Sequence, residues 1–187
     1  MTAIQKRVTY TIDEANEILL QTANKEKPRY GLFDVILILL YADKDIPIYG
    51  RTRIMKEIFL ACEQLFNKEE VEQIIFVRHK YGPYNEDIEN IIDDMIFSSY
   101  VEYGKTKNKD NDSIKIADKG IRYIAKKFAG LPEDLQRLIK IKRMRWDSKP
   151  IHYLLKYVYT TYPDYLENAV LRKRFSNIYR WERKEKQ

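Results

Sequence analysis

The sequence predicts a mainly α-helical protein with one small β-hairpin, and three stretches of the chain indicate this class. Residues 31–41 are apolar on nearly every side, as in a helix at the centre of a core. Residues 85–99 place apolar side chains at helical spacing. Residues 100–103 and 113–117 alternate apolar and polar side chains, as strands do, around a charged loop. Helices followed by such a hairpin, here called the wing, have the element order of a winged helix-turn-helix domain, which is the predicted fold.

The composition indicates one folded unit that stays in the compartment where it is made. With 187 residues and 44% hydrophobic residues, the chain can bury one good core. Its longest apolar run, 32–42, contains Asp34 and is much shorter than the roughly 20 residues that span a bilayer. The N-terminus lacks the features of a signal peptide, so we expect a cytoplasmic protein without a membrane span.

Chemistry-bearing residues are sparse in the sequence. The only cysteine, Cys62, lies in an apolar helical stretch and is interpreted as a core residue. His79 and His152 have no cysteine or second histidine near them, so no zinc site is predicted. The chain also lacks a glycine-rich phosphate loop and a nucleophile beside a base. We therefore expect no cofactor, no enzymatic activity and no small-molecule substrate.

The elements before the wing follow from local spacing. Thr11 and Glu14 have the spacing of a capping box, which predicts a helix to about residue 23 in an N-terminal appendage, 1–29. Residues 43–50 are predicted to be a turn-rich connection, and 51–66 a one-sided helix. The exposed face of that helix is predicted to carry Arg51, Arg53, Lys56 and Glu57.

A strand and a sharp turn are predicted before the amphipathic helix. Residues 73–78 are β-branched and aromatic, as in a strand, and Gly82 with Pro83 is predicted to turn the chain directly into the helix. Asn85 is well placed as its N-cap. One face of this helix is apolar, and the opposite face carries Glu86, Glu89, Asn90, Asp93 and Asp94.

The C-terminal part is predicted to be a basic helical extension, 131–187, packed on a winged-helix domain, 30–130. This extension has 14 Lys and Arg against 7 Asp and Glu, whereas the rest of the chain has 20 against 21. In the helix 132–146, Leu135, Leu138 and Ile139 are predicted to be buried, with Arg137, Lys140 and Arg143 on the far side. Asp147 or Ser148 is predicted to cap the next helix, which ends at Pro163.

Four segments resemble a known family. They are GRTRIMKEIFLA at 50–61, YGPY at 81–84, IADKG at 116–120 and YVYTTYPDY at 157–165. Together they resemble the YwgA-like winged-helix proteins of bacteria and archaea. They are more distantly similar to the Panacea antitoxin domain, which shares a lysine-bearing helix and a YGP turn. The resemblance covers about residues 30–175 and implies the winged-helix fold, while any function drawn from it would be an analogy.

Nucleic acid, either DNA or RNA, is the first predicted ligand. A winged helix usually reads DNA with its second helix in the major groove, but here that helix exposes carboxylates that repel phosphate. The basic extension and the wing are better candidates. The predicted contacts are Lys105, Lys107, Lys109, Arg137, Lys140, Arg143, Arg145, Arg172, Lys173 and Arg174. The expected function is non-catalytic nucleic-acid binding within a regulatory or defence complex.

The alternative is a protein-interaction module, such as an antitoxin-like or accessory subunit, that binds a protein partner or forms a homodimer without contacting nucleic acid. The acidic helix face supports this alternative, as do the 15 tyrosines, because tyrosine is enriched in binding hot spots. The predicted partner-binding residues are Glu86, Glu89, Asp93, Tyr153 and Tyr159.

Overall fold

Six α-helices, five short strands and one 3-10 helix, Pro163–Leu166, are the elements of the part of the chain that the computed structural model describes, which is residues 30–67, 70–72, 74–105 and 112–166. The helices are α1 (Leu32–Ala42), α2 (Arg51–Gln64), α3 (Glu86–Phe97), α4 (Asp118–Ala129), α5 (Glu133–Asp147) and α6 (Ile151–Thr161). The strands are β1 (Ile48–Tyr49), β2 (Val77–His79), β3 (Gly82–Tyr84), β4 (Val101–Gly104) and β5 (Ser113–Ile116). The predicted mainly helical class with a small antiparallel sheet is confirmed. The predicted helix at 11–23 and the end of the chain from 167 lie outside the described residues.

Helix α1 is the central element, as predicted. Its residues Val35–Leu40 are all buried, and it packs against α2, α4 and α5. Neighbouring helices cover α1 on several sides, and this explains how a helix that is apolar on all faces can be buried. Its one acidic residue, Asp34, is buried near the N-terminus of α1 and accepts hydrogen bonds of 2.7 Å from Lys127 Nζ on α4. The buried carboxylate therefore has a charged partner.

The wing is the predicted hairpin, and it has an additional strand. Strands β4 and β5 are antiparallel, with Val101 opposite Ile116, and β1 pairs with the other edge of β5 through Ile48 and Ile114. The sheet order is therefore β1-β5-β4. The turn-rich connection predicted at 43–50 has turns and a bend at 43–46, but it also contains β1, which was not predicted. A strand of two residues with one buried side chain, Ile48, has too short a pattern to be seen in the sequence.

The sharp turn into the helix that was predicted at YGPY is wrong, because Gly82–Tyr84 is a strand of a second hairpin, β2–β3. Val77 pairs with Tyr84 and His79 with Gly82, so Gly82 and Pro83 lie within a strand and do not turn the chain directly into α3. The predicted strand is real but lies at Val77–His79, later than expected. The N-cap is confirmed, because Ile88 N donates to Asn85 Oδ1 at 3.1 Å and Asn85 Nδ2 donates to Ile75 O at 2.8 Å.

Helix α2, which contains all but the first residue of the segment 50–61, contacts two of the other segments that carry the family resemblance, 81–84 and 157–165. Lys56 Nζ donates to Pro83 O at 2.6 Å, which ties α2 to the β2–β3 hairpin. The ring of Phe59 makes edge contacts with Phe76, Tyr162 and Tyr165 at centroid distances of 5.0, 4.8 and 5.1 Å. Cys62 lies half-buried on the same helix, and burial raises the pKa of its thiol to about 12.

The exposed face predicted for α2 is partly wrong. Lys56 is 2% exposed and Glu57 is 0% exposed, because α2 is covered by the β2–β3 hairpin, α5 and α6. An amphipathic pattern shows which face is apolar, but it does not show that a neighbouring element covers the polar one.

Helices α5 and α6 form the last part of the described fold. Helix α5 packs on α1 and α6 on α2. In α6, Leu154, Leu155 and Val158 are buried as predicted, but the N-cap is Pro150, with no side-chain cap from Asp147 or Ser148. In α5, Ile139 is buried, whereas Leu138 is exposed and was wrongly placed in the buried stripe.

Candidate functional site

A basic and aromatic cleft lies where α5 turns into α6. It has a volume of about 190 Å³ and is called the α5–α6 cleft. Its lining residues are Lys142, Arg145, Trp146, Lys149, Tyr153, Leu154 and Tyr157. Three cations and three aromatic rings thus surround one small cavity, and no carboxylate is among the described residues that line it. Of the residues predicted to bind nucleic acid or a partner, the cleft brings together Arg145 and Tyr153.

The turn that forms the cleft is held from α2. Arg53 NH1 donates to Trp146 O at 2.7 Å, and Arg53 NH2 donates to Lys149 O at 2.8 Å. These carbonyls belong to the end of α5 and to the turn that follows it, where backbone acceptors have no helical partner. The guanidinium of Arg53 therefore fixes the backbone that carries one aromatic ring and one cation of the cleft.

A glutamine amide at the end of α2 holds two of the lining side chains. Gln64 Nε2 donates to the Tyr157 hydroxyl at 3.0 Å and to the Tyr162 hydroxyl at 3.2 Å. Lys142 Nζ in turn donates to Gln64 Oε1 at 3.2 Å. Tyr157 and Lys142 are thereby oriented by the protein itself, before any ligand arrives.

Arg143, one of the predicted nucleic-acid contacts, lies inside the protein with 0% exposure, so that prediction is wrong. Its Nε lies 3.7 Å from Glu57 Oε2, its NH1 forms an ion pair with Asp147, and its NH2 donates to Ile46 O at 3.2 Å. Arg143 shares a helix face with Ile139, four residues before it. The sequence interpretation grouped it instead with Arg137 and Lys140, at spacings of three.

Burial dominates the titration of this internal ion-pair cluster. It raises the pKa of Glu57 to about 7, although Arg143 and Arg53 pull the pKa in the other direction. Burial also lowers the pKa of Arg143 and lowers that of Lys56 to about 7. Glu57 and Arg143 join α2 to α5, and Lys56 joins α2 to β3, so these charges hold elements together beneath the surface.

The other predicted nucleic-acid residues are not gathered in the cleft. Arg137 and Lys140 are exposed on α5, and Lys140 Nζ lies 5.7 Å from the centroid of the Phe128 ring on α4. Lys105 is exposed just after β4. The remaining predicted contacts lie outside the described residues, namely Lys107, Lys109, Arg172, Lys173 and Arg174.

The residues predicted to bind a protein partner differ in their exposure to solvent. The prediction that Tyr159 contacts a protein partner is wrong, because Tyr159 is 0% exposed. Burial also raises the pKa of its hydroxyl to about 12. Glu86 and Asp93 are exposed on α3, and Glu89 is half-buried. Asp93 Oδ1 accepts a hydrogen bond of 2.6 Å from Arg51 NH2, so part of the acidic face is neutralised within the chain.

A second concave surface, called the α3 groove, lies at the N-terminus of α3. Its volume is about 630 Å³. Its lining residues are Leu32, Glu72, Ile74, Ile75, Val77, Tyr84, Asn85, Glu86, Asp87, Asn90 and Ile91. Ile75 and Val77 are exposed apolar residues beside the carboxylates of Glu86 and Asp87. The sequence interpretation assigned Ile75 and Val77 to a strand and did not predict this groove.

Five residues that line the cleft were not among the predicted contacts, namely Lys142, Trp146, Lys149, Leu154 and Tyr157. Lys142, Arg145 and Trp146 lie on α5 at spacings of three and four, which places them on one side of that helix and could have indicated a shared surface. Lys149 lies in the turn after α5 and gave no such signal, because its contribution depends on the position of α6.

The ranges that the structure covers contain neither a candidate metal site nor a candidate membrane-spanning helix. No group of three or more His, Cys, Asp or Glu side chains there could hold a metal ion. None of the helices in those ranges is both long and apolar enough to cross a bilayer.

No protein-family model matches the chain, and a comparison with curated proteins finds no match. The resemblance to YwgA-like proteins therefore stays a prediction.

Proposed function

We propose that the protein is a non-catalytic nucleic-acid-binding protein of the winged-helix class and that it binds DNA or RNA through the α5–α6 cleft. The observation that carries the proposal is the convergence of Lys142, Arg145 and Lys149 with Trp146, Tyr153 and Tyr157 around one cavity. Cations of this kind bind phosphates, and aromatic rings stack on bases. Such a protein would act within a regulatory or defence complex.

The order of elements supports the winged-helix class. Helices α1, α2 and α3 are followed by the wing, and β1 completes a three-stranded sheet in the order β1-β5-β4. In a winged helix, α3 would be the helix that enters the major groove. Its exposed Glu86, Asp87 and Asp94 would meet the phosphates unfavourably, which favours the α5–α6 cleft as the contact surface.

Charge reversal in the cleft tests this proposal. We expect Arg145→Glu with Lys149→Glu to weaken binding to a 30-nucleotide DNA or RNA, measured by fluorescence anisotropy at several salt concentrations. Because two phosphate contacts are lost, the slope of log affinity against log salt should fall by about 2. The matched control is Arg122→Glu with Lys126→Glu, two exposed cations of α4, which should leave the slope unchanged.

Two results would contradict the proposal. One is the absence of binding to any DNA or RNA at about 50 mM salt, where phosphate contacts are strongest. The other is an equal loss of affinity in the α4 control, because binding would then follow net charge and not the α5–α6 cleft.

A second candidate function, binding of a protein partner, is favoured by the α3 groove. Its exposed Ile75 and Val77 offer apolar area, and Glu72, Glu86 and Asp87 supply negative charge around it. The chemistry fits a peptide segment of a partner that carries both apolar and basic side chains. Both functions can exist in one protein, because no residue lines both the α3 groove and the α5–α6 cleft.

A further inference from the structure

The size of the α5–α6 cleft limits what can enter it. Pockets for drug-sized ligands have volumes of roughly 300–1,000 Å³. At about 190 Å³ the cleft is smaller than this range, so it suits one planar ring system and not a base pair. A base in a duplex is also covered on both faces by its neighbours in the stack, so it cannot enter a side cleft without leaving the helix.

The walls of the cleft are suited to a flat aromatic ligand. Tyr153 is 55% exposed and Tyr157 is 40% exposed, so both retain ring surface for contact. Trp146 and Leu154 are buried and form the inner wall. Because Gln64 already holds the Tyr157 hydroxyl at 3.0 Å, little freedom of that ring would be lost when a base binds.

The cations are placed for the backbone that flanks such a base. Arg145 and Lys149 are exposed, and Lys142 is half-buried with Nζ 3.2 Å from Gln64 Oε1. A single strand with one base in the cleft would run its neighbouring phosphates past these exposed cations. Proteins that bind single strands commonly combine a cationic track with aromatic stacking surfaces in this way.

We infer that the α5–α6 cleft binds single-stranded nucleic acid by accepting one unstacked base against Trp146, Tyr153 and Tyr157, while Arg145 and Lys149 contact the adjacent phosphates. The inference rests on the proposed function and narrows its ligand to single strands. It also accounts for a basic surface to which α3, the helix that would dock on a duplex, contributes none of the described lining residues.

The experiment compares a labelled 12-nucleotide single-stranded DNA, the same sequence as RNA, and the corresponding duplexes, using the full chain. We expect at least one single strand to bind about tenfold or more tightly than its duplex. Tyr153→Ala should lower that affinity about tenfold, since the base loses one of its aromatic stacking partners. Tyr153→Phe keeps the ring and should retain affinity within about twofold.

A direct readout comes from tryptophan fluorescence. The chain has two tryptophans, so Trp181→Phe leaves Trp146 as the only one. We expect unlabelled single-stranded DNA or RNA to quench this fluorescence with the same affinity as anisotropy gives. Circular dichroism and thermal melting of each variant establish that it is folded before binding is measured.

The outcomes separate the inference from the proposed function. If duplexes bind as tightly as single strands and Tyr153→Ala changes nothing, while Arg145→Glu with Lys149→Glu still weakens binding, the inference is overturned and the proposed function stands. Single-strand binding that is insensitive to Tyr153→Ala also overturns the inference. If no nucleic acid binds at about 50 mM salt, both fail.

Discussion

Lys56 and Glu57 are adjacent residues of α2 that are both buried, and burial acts on them in opposite directions. It lowers the pKa of Lys56 to about 7 and raises the pKa of Glu57 to about 7. Lys56 therefore destabilises the folded state at low pH, where its buried ammonium group is charged. Glu57 destabilises the folded state at high pH, where its buried carboxylate is charged. Their combined contribution to stability has its minimum near neutral pH.

Lys56→Met tests the lysine half of this pair. Between about pH 7 and 10.5 the unfolded chain holds a proton on Lys56 that the folded chain lacks, so folding stability rises with pH by at most about 1.4 kcal/mol per unit. The variant has no such proton, and its stability should rise less over this window. The measurement is chemical denaturation at pH 7.5, 8.5 and 9.5.

The matched control for Lys56→Met is Lys126→Met, which removes an exposed lysine from α4. Its stability should run parallel to that of the parent protein over the same pH values. If the Lys56→Met curve also runs parallel, the buried lysine does not titrate as proposed.

At the scale of elements, α2 positions both the β2–β3 hairpin and the α5–α6 turn. Lys56 holds Pro83, and Arg53 holds the carbonyls of Trp146 and Lys149. The hairpin has a further requirement at Gly82, whose φ of +86° favours glycine. A Cβ at that position would lie 2.6 Å from Tyr159 Cε1, in a ring that is fully buried.

Gly82→Ala should therefore destabilise the fold by about 2–5 kcal/mol, from backbone strain together with overpacking against Tyr159. Chemical denaturation measures the change. Gly130→Ala is the control, because Gly130 has φ −79° and ends α4 in an ordinary helical conformation. It should cost less than about 1 kcal/mol, and a similar loss in both variants would contradict the close contact at Gly82.

At the scale of the whole molecule, the α3 groove is acidic and the α5–α6 cleft is basic. This separation allows the two candidate functions to be tested independently. We expect Glu86→Lys with Asp87→Lys to abolish capture of a specific native partner carrying a basic, apolar segment, while leaving nucleic-acid affinity unchanged or slightly higher. Mass spectrometry of complexes purified from the native host measures the first effect, and anisotropy measures the second.

The control for the α3 groove is Arg145→Glu with Lys149→Glu, which should keep the same protein partner. A partner that is lost only in this cleft variant would place protein binding at α5–α6. Equal capture by all variants would exclude the α3 groove as the docking surface.

The parts of the fold that depend on local spacing could be predicted from the sequence. Helix α1 and the strands of the wing have patterns within a few residues, and Asn85 caps α3 by contacts close along the chain. The buried charges could not be predicted, because the partners of Arg143 include Glu57, which is 86 positions earlier in the chain. Arg145 and Tyr153 were each predicted as contacts, but their common cavity depends on how α6 crosses α5.

The burial of Cys62 has a practical consequence for spectroscopy. A thiol with a pKa of about 12 is almost entirely protonated at neutral pH and reacts slowly with maleimides, which need the thiolate. It is also the only cysteine in the chain. A cysteine introduced at an exposed position, such as Arg122→Cys on α4, would therefore take a fluorophore or spin label selectively while Cys62 stays in place.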